Sequence, residues 1–552
     1  MRPVFCIAFA MFLAAPVTLP AYAAEPDAPD ALIGNSETIR IAIQERLSEK
    51  FTAKSEARKD EQGALVEYYS APENRLLWVD ENGFTDRGKA VMEEIAQADD
   101  YGLRSADYPL PKTGSGDSGN ADAKSLADAE IKISFAVLGY ARDARGGRIE
   151  PTRLSANLDP TLALPDPLEV IESIAIRSNP AGYLRSFQPD QPQFEALRQA
   201  LIEARGGSVT KDVVRIPDGP MLRIGMEDDQ VALLRKRLEL PSEGGAKDTL
   251  FDESLAAAVR GYQATHGAMP DGVVGPGTRR LLNQQHHAAA SPARTRLILL
   301  NMERWRWLPH DLGQFYVTVN VPEFMLRVMG EGKPVHTARV VVGKPDKQTP
   351  VFSNEMQTIV FNPYWNMPNS IKTEEIRPYI REEGGWFGGG GWNTAVLQRH
   401  NLRINVGGRE VDPSRIDWNR IDIRSLRIYQ PPGPDNVLGN VKFLFPNKHD
   451  VYMHDTPQKF LFAKPVRAES HGCMRVQNPD QLALALLKQD QGWTSGRIAS
   501  AIQNGYDQQI PLRQKIPVYI TYFTLWVNAD GSMSTFGDLY GHDARMAGAL
   551  RL

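Results

Sequence analysis

The chain has 552 residues, with 63 Lys and Arg against 67 Asp and Glu and a formal net charge of −4. That length exceeds what one hydrophobic core holds, so about three folded units are expected. The near balance of charge excludes a global basic field that would draw the chain to nucleic acid or anionic lipid.

The N-terminus comes first. Arg2 precedes an apolar run from Val4 to Val17, then Ala21-Tyr22-Ala23 and the polar Glu25-Pro26-Asp27. The small-x-small pattern after a short apolar run reads as a secretory signal peptide over residues 1–23. An uncleaved anchor is the second reading, disfavoured because the run falls short of a span of about 20 residues. No later segment is long and apolar enough to cross a bilayer, so no stable membrane span is expected. Of the two cysteines, Cys6 lies in the signal and Cys473 stands alone in the mature chain. An internal disulfide is thereby excluded, and the leftover thiol is either a small buried hydrophobe or a reactive group.

Residues 30–215 read as a helical scaffold. Ala64 to Val79 carries an apolar face of Leu65, Tyr68, Tyr69, Leu76, Leu77 and Trp78, and Asn82-Gly83 makes a turn. Thr85 caps a helix through Val91, Ile95 and Ala98, and Ile131, Phe135, Leu138 and Arg142 keep helical spacing. Lys112 to Lys124 is a Gly/Ser/Asp-rich surface loop. Residues 221–284 form a compact unit: one helix with Val231, Leu234 and Leu238, a second with Leu255, Val259 and Tyr262, and a short third capped by Thr278. Residues 285–296 read as a linker, and His286-His287 has no further ligand type at suitable spacing for a metal.

From residue 297 to 545 the period changes. Phe315–Val321, Met325–Met329, Thr337–Val342, Met356–Phe361, Val441–Phe445, Val451–His454 and Val518–Phe523 read as strands. Asp530-Gly531 is a hairpin turn between Leu525–Val527 and Met533–Phe536. One clear helix follows Cys473, with Asn478 as N-cap and Pro479 as its first residue. Residues 368–434 read as an inserted capping segment. Its Gly384 to Trp392 run suits a mobile lid with aromatic contacts or, equally, an ordinary loop with Trp packed inward; a phosphate loop is a poor reading, because no Lys-Ser/Thr follows the glycines.

The chemistry concentrates in Val451-Tyr452-Met453-His454-Asp455 and Ser470-His471-Gly472-Cys473-Met474-Arg475. Acyl transfer by cysteine needs a base for the thiol proton, an orienter for that base, and donors for the oxyanion. His454, nineteen residues before Cys473, and His471, two before it, are both candidate bases. Gly472 admits close backbone approach, so the Gly472 and Cys473 N–H groups are candidate oxyanion donors.

His454, then Ser470-His471-Gly472-Cys473 with Arg475 and Asn478, resembles the signature of the L,D-transpeptidase (YkuD) family. Val340–Gly343, Gln348-Thr349-Pro350-Val351, Phe361 to Asn366, Lys442 to Pro457, Leu77-Trp78-Val79 and Tyr519–Phe523 resemble its large, scaffold-bearing periplasmic branch. Phe251-Asp252, Ala258 to Gln263 and Asp271 to Thr278 resemble the small three-helix peptidoglycan-binding module. The resemblance implies a multidomain α+β protein: helical scaffold, binding module, and a mainly-β L,D-transpeptidase catalytic domain with a capping insertion. It implies that Cys473 attacks the donor tetrapeptide stem between its third and fourth residues, releasing D-alanine and leaving a thioester. An amine on the third residue of an acceptor stem then resolves it. His454 becomes the base, oriented by the backbone carbonyl or side chain of Asp455. Tyr452 assists the oxyanion, while Ser470, His471, Arg475 and Trp365 shape the site and contact substrate. Carbapenem acylation and a periplasmic location are also implied, no cofactor is called for, and cell-wall synthases are candidate partners.

Rival readings are a zinc site on His454, His471 and Cys473, which lacks an HExxH pattern or second cysteine; a hydrolase letting water resolve the thioester; a transpeptidase attaching proteins to peptidoglycan; and a non-catalytic wall-binding protein.

Overall fold

A computed structural model describes residues 31–49, 55–112, 122–206, 214–238, 240–241, 246–265, 269–288, 291–383, 391–528 and 531–552. The expected signal peptide, most of the Lys112–Lys124 loop, the glycine run at 384–390 and Asp530 lie outside these residues.

The scaffold is built on helices α1 (Ala31–Ser48), α2 (Glu56–Ser70), α3 (Asp86–Ala96), α4 (Ala123–Gly146), α5 (Pro167–Ile176) and α6 (Pro192–Gly206). Thr85 caps α3 by accepting the Gly88 N–H, as its position before the apolar period predicts. The helix expected over Ala64 to Val79 stops at Ser70. Beyond it, Leu77, Trp78 and Val79 give their backbone N–H groups to the buried carboxylate of Glu130 on α4, which also takes the Tyr69 hydroxyl. One acceptor inside the core thus replaces a turn of helix as the partner for this backbone.

The binding module comprises α7 (Asp229–Arg237), α8 (Glu253–Thr265) and α9 (Pro276–Ala288) around Val231, Leu234, Phe251, Leu255, Val259 and Leu282. Thr278 is not a cap. It lies inside the first turn of α9, which opens at Pro276, and its hydroxyl donates to the Val273 carbonyl. The segment expected as a linker is largely helical: α9 runs through Ala288, and α10 spans Pro292–Trp305. The three- and four-residue spacing of Ile298, Met302 and Trp305 is a helical stripe, and it packs on Phe194, Leu197 and Leu201 of α6.

Outside a two-residue hairpin of Val79–Asp80 with Gly83–Phe84, the described strands lie from Phe315 onward. Those of the two larger sheets are β1 (Phe315–Asn320), β2 (Met325–Gly330), β3 (Lys333–Gly343), β4 (Phe352–Phe361), β5 (Trp365–Asn366), β6 (Arg403–Val406), β7 (Arg409–Val411), β8 (Arg427–Gln430), β9 (Val441–Leu444), β10 (Met453–His454), β11 (Ala468–Ser470), β12 (Met474–Val476) and β13 (Gln508–Thr521). The main sheet runs β11-β3-β12-β10-β9-β4-β13-β1-β2, and a further β2–β3 pairing closes it on itself. Inward residues alternate along the strands, with Val317 and Val319, Leu326 and Val328, Val340 and Val342 all fully buried. Among the described residues three helices rather than one follow Cys473: α11 (Pro479–Gln491), α12 (Ser495–Gln503) and α13 (His542–Leu550). Leu482, Leu486, Ile498 and Met546 bring them into the same core. Asn478 occupies the N-cap position of α11 in a left-handed conformation, without a side-chain cap bond.

The capping unit is a second sheet, β7-β6-β8-β5, over its own core of Trp365, Ile404, Trp418 and Ile428. It therefore starts at Trp365 rather than 368, because β8 needs β5 as its partner, and Leu438 belongs to its core. The scaffold reaches the same region. Leu158 bridges Val351 in parallel, and the Asp159 carboxylate holds Lys448 (2.7 Å) and His449 (2.8 Å).

Candidate active site

β10 and β12 are short parallel neighbours, with Met453 paired to Met474 and His454 to Arg475. Side chains two apart share a face. Tyr452 and His454 therefore point the same way from one strand, and Cys473 and Arg475 from the other. All four line one cleft of about 700 Å³, together with Trp365, Ser470 and His471.

His454 is buried, and its Nδ1 lies 2.5 Å from the Asp455 carbonyl oxygen. That bond makes Nδ1 the protonated nitrogen and leaves Nε2 as the acceptor. Of the two ways Asp455 was expected to orient His454, the geometry supplies the backbone carbonyl. The Asp455 carboxylate is engaged elsewhere, by the Thr456 N–H (2.6 Å), the Asn440 N–H (2.9 Å) and Lys459.

Cys473 is half-buried, and both the backbone N–H and the hydroxyl of Tyr452 face its sulfur. Trp365 donates to the same hydroxyl. Gly472 carries φ +109°, a conformation L side chains rarely adopt. Its N–H donates to Ser470 Oγ (3.2 Å), and Ser470 Oγ donates to the Cys473 carbonyl (2.5 Å). Gly472 is thus removed from the expected pair of oxyanion donors, because Ser470 occupies its N–H. Among the described residues, the Cys473 N–H donates to no protein acceptor.

His471 is exposed and pairs with Glu375 of the capping unit at 2.5 Å, turned to the rim of the cleft. Arg475 donates to Gln458 Oε1 at 2.6 Å. Among the described residues no three His, Cys, Asp or Glu side chains converge as a metal site would require.

Reading the sequence alone missed Lys442. It stands opposite His454 in the β9–β10 pair, with its ammonium 3.8 Å from the centre of the Tyr452 ring. The only trace in the sequence is a lysine inside an apolar strand; strand pairing is what gives it meaning.

Burial pushes His454 down to about 3, with Arg475 and Lys442 adding to the fall and the Asp455 carbonyl opposing it. Burial pushes the Cys473 thiol up, opposed by the Tyr452 N–H and hydroxyl, Lys442 and Arg475. At neutral pH the resting cleft therefore holds a thiol and a neutral imidazole. Such a site can lend a sulfur nucleophile, accept its proton at Nε2, and offer N–H and O–H donors to a developing negative oxygen.

Comparison with known proteins follows this geometry. Residues 314–491 match the YkuD L,D-transpeptidase catalytic domain, residues 63–201 the scaffold domain, and residues 227–282 the "Putative peptidoglycan binding domain". A Haemophilus influenzae protein described as "Putative L,D-transpeptidase" is 33% identical over 254 residues, covering 46% of this chain and 49% of that one. The chain thus spans about half the length of this curated relative. A crystal structure of the L,D-transpeptidase from Xylanimonas cellulosilytica is 15% identical and covers 55% of this chain and 99% of its own, with a TM-score of 0.17. A fused Zn-dependent amidase/peptidase/peptidoglycan-binding protein from Clostridium acetobutylicum is 14% identical, covering 55% of this chain and all of its own, with a TM-score of 0.13. Neither overlap is close enough to bear on the fold. Residues 314–491 are thus similar to the L,D-transpeptidase (YkuD) catalytic domain, with a region similar to the scaffold domain and one similar to the peptidoglycan-binding domain before it.

Proposed function

We propose that the protein is an L,D-transpeptidase that joins the third residues of two peptidoglycan stems through a thioester on Cys473. The observation that carries this reading is His454 held by Nδ1, with Nε2 unpartnered among the described residues, in the cleft that also holds Cys473. His454 Nε2 takes the thiol proton as sulfur attacks the carbonyl between donor residues three and four. The oxyanion is met by the Cys473 N–H, with Tyr452 as second donor. D-alanine leaves, its amine taking the proton from His454. The side-chain amine of the acceptor's third residue, usually meso-diaminopimelate, then attacks the thioester. Its proton returns through His454 to the departing sulfur, which restores the thiol. Ser470 holds the nucleophile loop, while His471, Arg475 and Trp365 shape the cleft around the stems. Carbapenems acylate the same sulfur.

The peptidoglycan-binding domain supports a cell-wall or periplasmic site of action, reached through the signal peptide over residues 1–23. Cell-wall synthases are proposed as partners. No helix among the described residues is long and apolar enough to cross a membrane.

The test incubates the protein with purified disaccharide-tetrapeptide beside Cys473→Ala, with products read by mass spectrometry. A dimer lacking one D-alanine, absent in the variant, is expected. Tripeptide alone would make the enzyme a carboxypeptidase. No Cys473-dependent product, with the donor shown to be competent, would overturn the reading.

A further inference from the structure

The peptide that carries the nucleophile is held from behind by a side chain outside the cleft. Thr349 is fully buried, and its hydroxyl donates to the Gly472 carbonyl at 2.8 Å while accepting the Gly343 N–H at 2.9 Å. In a trans peptide the C=O and the following N–H point in opposite directions. Holding the Gly472 carbonyl inward therefore turns the Cys473 N–H outward, toward the cleft. Ser470 already occupies the two flanking groups, the Gly472 N–H and the Cys473 carbonyl.

Thr349 is itself braced from the C-terminal part of the chain, beyond the matched catalytic domain. The Tyr540 hydroxyl donates to the Gly343 carbonyl at 2.7 Å and accepts the Thr349 N–H at 3.2 Å. Tyr540 is buried, and its own N–H donates to the Tyr522 hydroxyl at 2.7 Å, which donates in turn to Asp538 at 2.9 Å. Gly343 leaves no room for play: a Cβ there would run into the Lys347 carbonyl oxygen.

We propose that Thr349 is a positioning residue that aims the Cys473 N–H as oxyanion donor, and that Tyr540 fixes Thr349 in that role. The inference rests on the acyl-transfer reading above. It concerns where the donor points and leaves the reactivity of the sulfur untouched, so two reactions of Cys473 separate it from a general structural role. Acylation by the disaccharide-tetrapeptide builds negative charge on a carbonyl oxygen. Alkylation by iodoacetamide displaces iodide at a saturated carbon and builds none.

The experiment measures single-turnover D-alanine release and iodoacetamide alkylation on the full chain, for wild type, Thr349→Val and Thr349→Ser. Loss of one oxyanion donor slows acylation about 100-fold, which is the effect expected of Thr349→Val. Its alkylation rate should stay within about twofold of wild type, and Thr349→Ser, which keeps the hydroxyl, should recover most of the acylation rate. Acylation by Thr349→Val at the wild-type rate overturns the proposal, as does an equal fall in both reactions. If Thr349→Val fails to fold, Tyr540→Phe gives the same separation, with acylation slowed about tenfold and alkylation unchanged. Equal rates in both reactions there also overturn it. A wild-type protein that alkylates but releases no D-alanine defeats the acyl-transfer reading itself, which is a different result from a wild type and variant that acylate equally.

Discussion

Arg475 stands level with His454 across the parallel pairing of β10 with β12. Lys442 stands opposite the same histidine on β9, so the imidazole lies in a row between two cations. A protonated His454 would be a third positive charge in a buried row, which is why its proton is held so weakly.

The consequence for pH is an acid limb far below neutral. An ordinary histidine titrates near about 6.5, and the sequence alone suggests a rate that climbs through the neutral range until the Cys473–His454 pair is in its reactive state. With His454 pushed down to about 3, loss of the base is expected only in strong acid, and acylation should vary little between about pH 5 and 7 from this cause. Arg475→Gln removes the larger of the two repulsions, so the imidazolium forms more easily and the acid limb moves up. A pH profile of D-alanine release for both proteins, or NMR titration of the His454 ring, checks the direction.

Ser470→Ala leaves the Gly472 N–H and the Cys473 carbonyl without their shared partner. Each unsatisfied group costs about 1–3 kcal/mol, so the nucleophile loop should lose its geometry and acylation should slow about 10- to 100-fold. Ser470→Thr, which retains the hydroxyl, should lose less. Single-turnover rates decide between them.

Beside the packing of Tyr452 on its core, the capping unit meets the catalytic domain through two exposed polar contacts, Glu375 with His471 at 2.5 Å and Glu374 with Lys347 at 2.7 Å. Exposed pairs of this kind contribute about 1 kcal/mol or less. Replacing both glutamates by glutamine should therefore leave the melting temperature nearly unchanged and raise KM a few-fold with kcat retained. Raising salt in the wild type should move KM in the same direction.

Glu130 is the anchor of the scaffold. Glu130→Ala strands three backbone N–H groups in a dry core and leaves the Tyr69 hydroxyl only Ser134 Oγ, a loss of about 3 kcal/mol or more. Calorimetry should show an earlier scaffold transition.

The sequence makes Cys473, the strand-end His454 and the order of domains legible, because those are signals of residue type and local period. Cys473 is the only cysteine outside the expected signal peptide, and Thr85 sits where a cap must sit. Other features lie in contacts between distant residues. Lys442 becomes a site residue only through strand pairing, and Thr349 reaches Gly472 across 123 positions. Leu77-Trp78-Val79 looks like the end of a helix until Glu130 is seen to collect its N–H groups. The helix over Pro292–Trp305 was hidden by its neighbours: strands follow it closely, and the alanines before it resemble a tether.

That helix has a consequence of its own. The chain leaves the scaffold on α6 and returns on α10, and these two helices pack on each other. To the rest of the molecule the peptidoglycan-binding domain between them is a detour off a joint that is already closed. The entropy of such an excursion grows only with the logarithm of its length. The fold can therefore tolerate lengthening, exchange or loss of that domain while the scaffold stays joined to the catalytic barrel.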